Sequence, residues 1–241
     1  MNRFPKTEFL SLFSIILGLV GMALQSWLMS EMDSSGLLPF HHISGTVAFI
    51  LLAVVVAVSF FFLKSVRPSE TYGQMFPKSP IAGIGCILAG VGMAFSASAP
   101  DATGILQLLA PVLGIAAAGA LAFAGFSRLQ GRQPNCLLFA LVAVALIVRT
   151  MLSCQKWSAE TQVPLYFFPL LACLSLLLAT YFRAELGTTG KNCRQYLFFR
   201  QLALYCCLVS MAGGDWLFYL SGAIWMATDF YAPAFYGKYA V

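Results

Sequence analysis

The stretch YLFFRQLALYCCLVSMAGGDWLFYLSGAIWMATDFY, Tyr196–Tyr231, decides how the chain is read. It is 36 residues of nearly unbroken apolar sequence, with Arg200 near its start and Asp215 beside Gly213-Gly214. A helix needs roughly 20 apolar residues to cross a bilayer. The run is therefore too long for one minimal span and short for two spans with a turn. It is read as one long helix hinged at Gly213-Gly214. The alternative is a turn at the two glycines, which would make it two spans.

The rest of the chain has the same character. Of 241 residues, 60% are hydrophobic and only 10% charged, with a mean hydropathy of +0.83. Soluble domains carry about 25% charged residues. This chain lacks the polar surface to cover a globule in water, and its partner is the lipid bilayer. Residues 1–241 form a single all-α domain with seven transmembrane helices. The spans fall at about 9–29, 41–63, 80–99, 104–126, 135–154, 164–182 and 196–231. The apolar run from Phe9 to Met29 exceeds a signal-peptide core of about 7–15 residues, and no A-x-A-like site follows. It is read as a retained first span.

Small residues mark close helix contacts. Gly18 and Gly21 share one side of span 1. In span 3, Ala82, Gly83, Gly85, Ala89 and Gly92 let neighbouring backbones approach. That face packs either inside the bundle or against a second copy or another membrane partner. Pro111 and Pro169 interrupt spans 4 and 6.

Charge placement gives the orientation. Cytoplasmic loops are enriched in Lys and Arg. With the N-terminus inside, seven spans put Arg3, Lys6, Lys64, Arg67, Lys78, Arg128, Arg132, Arg183, Lys191, Arg194 and Arg200 in cytoplasmic segments. Only Lys156 and Lys238 stay outside, along with Glu31, Asp33, Asp101, Glu160 and Asp229. The C-terminus is then outside, and Trp27, Trp157 and Trp225 sit at the outer interface. The net charge of +5 is spread over short loops rather than gathered in a patch, so nucleic acid is not an expected partner.

Two charges remain in the membrane. Arg149 lies fourteen residues beyond Asn135, and Asp215 fifteen beyond Arg200. At 1.5 Å per residue both reach about 20–23 Å from the inner face. A charge at such depth needs a partner, and each is the other's nearest candidate. The pair is read either as a structural clamp between helices or as the lining of an outward-facing polar cavity. Gln25, Gln107 and Trp216 complete that candidate substrate site, which suits a small anionic or zwitterionic solute. His41 and His42 open span 2 and are candidates for pH sensing. Neighbours on a helix point about 100° apart, so the two histidines do not chelate one metal.

Several chemistries lack their residues. No lysine falls inside the last span, which a retinal protein requires. The seven cysteines show no CxxC, and no HExxH, GxSxG or phosphate-binding loop occurs. No catalytic residues, metal or cofactor are expected. The functional expectation is a small transporter or solute-binding membrane subunit, or else a non-enzymatic accessory protein clamped by Arg149 and Asp215.

Lys156-Trp157-Ser158, Tyr166, Leu170-Leu171-Ala172, Leu178-Ala179-Thr180-Tyr181 and Phe198-Phe199 resemble small polytopic membrane proteins of bacteria that carry no assigned function. The resemblance covers about the last third of the chain. It implies a multi-pass protein of the bacterial inner (plasma) membrane and transfers no functional residue.

Overall fold

The structure, a computed structural model, describes residues 5–31, 43–64, 79–97, 105–132, 134–157, 163–189 and 192–229. These form α-helices α1 Pro5–Ser30, α2 Ile43–Lys64, α3 Pro80–Phe95, α4 Ile105–Leu129, α5 Cys136–Trp157, α6 Val163–Thr189, α7 Cys193–Ser210 and α8 Trp216–Thr228. Five helices, α1, α2, α4, α5 and α6, contain stretches long and apolar enough to cross a membrane, and α3 is a shorter apolar helix. Phe61, Phe95 and Leu108 are each more than 70% exposed. Outward-facing side chains this apolar have their natural surroundings in lipid rather than water. Among the described residues the fold is all-α, and its five long apolar helices suit a polytopic membrane protein.

The stretch 196–231 corrects the expectation of one hinged helix. The chain turns at residues 211–215, and α8 runs back antiparallel to α7. Arg200 Nε donates to the carbonyl of Met226 (2.8 Å), and Tyr196 Oη donates to Asp229 Oδ2 (2.6 Å), so the start of α7 lies beside the end of α8. A run of 36 residues accommodates both helices because α7 and α8 have only 18 and 13 residues. Neither needs a full apolar span, since protein surrounds them.

The described helices alternate in direction, and both ends of the described chain fall at one end of the bundle. Leu10 near the start of α1 shares a cluster with Leu63, Leu186 and Tyr196, and Tyr196 in turn reaches Asp229. This even parity replaces the odd parity expected. Two residues expected at the far interface move with it. Asp229 is fully buried among arginines. Trp225 is buried too, stacked against Phe139 at 6.3 Å.

The central helix is α7, in contact with α1, α2, α6 and α8. Its polar residues bond inward: Gln201 Nε2 donates to Ser11 Oγ (3.1 Å), and Tyr205 Oη donates to the Ala48 carbonyl (2.8 Å). Polar groups at membrane depth are tolerated where protein satisfies them. Gly18 and Gly21 pack as expected: a Cβ on either would meet Leu208 or Val209 of α7 within 2.7 Å. The small face of α3 is filled from inside the bundle. Gly85 and Gly92 receive Thr228 and Ser221 of α8, and Gly83 and Gly90 receive α4.

Candidate functional site

Arg149 and Asp215 meet. Arg149 Nη2 donates to Asp215 Oδ2 at 3.1 Å, and Nη1 donates to the backbone carbonyl of Ser96 at 2.8 Å. The guanidinium carbon also lies 4.0 Å from the ring centroid of Phe218. α5 therefore touches the ends of α3 and α8 through a single side chain.

The surroundings differ from those expected. Asp215 is not inside a helix but in the turn between α7 and α8, at the N-cap of α8. Its carbonyl accepts from the amides of Phe218 and Tyr219 (3.0 and 3.3 Å), while its carboxylate does not cap the helix. The Asp215 side chain is 61% exposed and that of Arg149 21%. The charge near a helix N-terminus is favourable in sign.

Beneath the pair lies a crevice with about 40 Å³ of room for water-sized centres, lined by α3, α4, α5 and α8. Met93, Gly114, Val142, Leu146 and Phe218 form much of its wall, and Arg149 is the one ionisable group among the described lining residues. A water requires about 10–15 Å³ of such room, so the crevice holds only a few small atoms.

The other expected site residues do not converge here. Gln25 is buried in α1, whose neighbours are α2 and α7. Trp216 begins α8, beside Asp215 in sequence, with half its surface exposed. Gln107 belongs to α4, but its side chain lies outside the described residues, as do His41 and His42 entirely. Among the described residues no three His, Cys, Asp or Glu side chains group to hold a metal ion.

A second constellation, which the sequence reading missed, sits at the opposite end. Arg128 of α4 donates to Asp229 Oδ1 at 2.6 Å, Arg183 of α6 pairs with Oδ2, and Tyr196 of α7 donates to the same oxygen. Arg183 also lies 4.0 Å over the ring of Phe139. Arg128, Arg183, Tyr196 and Asp229 are each no more than 3% exposed. The signal was available in one form only: if the chain turns at Gly213-Gly214, Asp229 arrives at the level of Arg128 and Arg183. α8 is thus held by carboxylates at both ends, exposed at Asp215 and buried at Asp229.

No family model matches the chain, and neither a curated protein nor a solved structure matches it.

Proposed function

We propose that the chain is a small solute-handling protein of the bacterial inner membrane, a transporter or the solute-binding subunit of a membrane assembly. The observation that carries this reading is the position of Arg149. It lines the crevice while its partner carboxylate is open to the exterior. A guanidinium at the mouth of an apolar crevice supplies both orientation and charge selection for a small ligand. The Asp215 end faces outward on this reading. The basic side chains Lys64, Arg128, Arg132, Arg183 and Arg194 gather toward the Asp229 end, which the positive-inside rule makes cytoplasmic.

The test is a thermal-shift screen of the purified protein in lipid nanodiscs against small anionic and zwitterionic solutes. At least one should raise the melting temperature of the wild type and leave Arg149→Ala unmoved, with that variant still helical and monodisperse.

A second reading, the structural clamp, is favoured by the direct contacts of the guanidinium with Asp215, Ser96 and Phe218. On that reading no solute shifts the wild type. Arg149→Asp and Asp215→Arg each destabilise the fold, and the double variant recovers.

A further inference from the structure

The crevice and its pair narrow the class of ligand. Every described wall residue except Arg149 is apolar or glycine, which suits a ligand with an apolar body. The group that Arg149 holds now is a carboxylate, and it holds it loosely. The 3.1 Å contact is longer than the usual 2.7–2.9 Å of charge-assisted hydrogen bonds, and the Asp215 side chain is largely exposed. The turn behind it leaves open space: a Cβ added at Gly214 would meet nothing within 4 Å. Building on the solute-handling reading above, we propose that the crevice binds a small monocarboxylate with a short apolar tail, whose carboxylate displaces that of Asp215 from Arg149.

The exchange conserves the charge arrangement. The ligand's carboxylate takes the Arg149 Nη2 donor, its tail enters between α4 and α5 beside Phe218, and the Asp215 carboxylate passes to water. Nη1 keeps its bond to Ser96. The room available, about 40 Å³, corresponds to about three or four small atoms, so the tail is short. A neutral amide brings no charge to exchange. An ammonium group finds no carboxylate among the described residues of the crevice wall. Displacement also loosens the start of α8, while its far end stays anchored at Asp229.

Butanoate is the probe, titrated calorimetrically into the protein in nanodiscs, with butyramide and 2-aminobutanoate alongside. Trp216, next to Asp215 and half exposed, reports the displacement by its emission, a change that Trp216→Phe removes while the calorimetric signal stays. Butanoate should bind saturably and butyramide should not. Arg149→Gln should lose binding at least about tenfold. Asp215→Asn should tighten it about two- to fivefold, the scale of the exposed ion pair that competes with the ligand. Asp215 lies at the surface, so this variant keeps the fold, checked by helicity and gel filtration. Weaker or unchanged binding in Asp215→Asn overturns the displacement. Binding of 2-aminobutanoate in preference to butanoate, dependent on Asp215, overturns the monocarboxylate assignment and leaves the solute-handling reading standing. Failure of butanoate alone, with another solute positive in the thermal-shift screen, does the same. Failure of every solute in both measurements removes both and leaves the clamp.

Discussion

Arg128 and Asp229 stand 101 residues apart in the chain and 2.6 Å apart in the bundle. The contact ties the end of α4 to the end of α8, and Arg183 adds α6 to the same carboxylate. Only a chain that returns after α7 can make it. The two aspartates flanking α8 therefore differ in kind: Asp229 is sealed among its partners, whereas Asp215 faces solvent.

That difference has a measurable consequence. Removing one partner from a buried ion pair costs about 3–5 kcal/mol, whereas an exposed pair contributes about 0–1 kcal/mol. Asp229→Asn should lower the unfolding midpoint far more than Asp215→Asn, measured side by side in one detergent. Equal shifts would show that Asp229 does not anchor the bundle.

The packing of α8 against α3 gives a second contrast. A Cβ at Gly92 would clash with Ser221 Oγ and lie 3.2 Å from Ser221 Cβ. Gly92→Ala should cost about 1–3 kcal/mol, the usual scale of overpacking, and Ser221→Ala in the same chain should restore most of it. Gly119 is the control. Its Cβ would meet nothing within 4 Å, so Gly119→Ala should be neutral or stabilise by about 0.5–1 kcal/mol through helix propensity. Thermal unfolding of the three variants checks the set.

The central helix should show a pairwise coupling. Gln201 donates to Ser11 across the α1–α7 contact. Interhelical hydrogen bonds in membranes contribute about 0.6 kcal/mol on average. Ser11→Ala and Gln201→Leu should therefore be less than additive, with a coupling of about that size in a double-mutant cycle. Strict additivity would mean the bond contributes nothing.

The hairpin can be tested by labelling. Cys136 and Cys154 are the native cysteines that are not buried, so both are first replaced by serine. Single cysteines at Glu31 and Ala212 should then react with an impermeant maleimide from one side of sealed vesicles, and cysteines at Lys64 and Gln130 from the other. Ala212 labelling together with Lys64 would be incompatible with the α7–α8 turn.

Much of this arrangement was legible before any coordinates. Apolar runs of span length marked the first six helices, because the hydrocarbon thickness imposes a length that composition reveals directly. The small residues of spans 1 and 3 foretold close packing, and the rarity of charge in the spans picked out Arg149 and Asp215 as partners. The last run was misread for a physical reason. Span-length reasoning assumes that a helix meets lipid, and α7 and α8 are enclosed by other helices instead. Fourteen of the 18 residues of α7 are buried, so it can carry Arg200 and Gln201, and α8 can stop after 13 residues.

What the sequence determined by itself is the solvent and the element type: a helical chain for a bilayer, with its charges held to ends and pairs. Hydrophobic length and backbone satisfaction are local properties, and any stretch carries them regardless of its neighbours. Parity, partner and burial were set by how the helices pack. The turn at 211–215 sends Asp229 to Arg128 and Arg183, and leaves Asp215 in the open beside the crevice that Arg149 lines. Those outcomes depend on which helices surround which. A carboxylate's neighbours can lie a hundred residues away, and its sequence context does not report them.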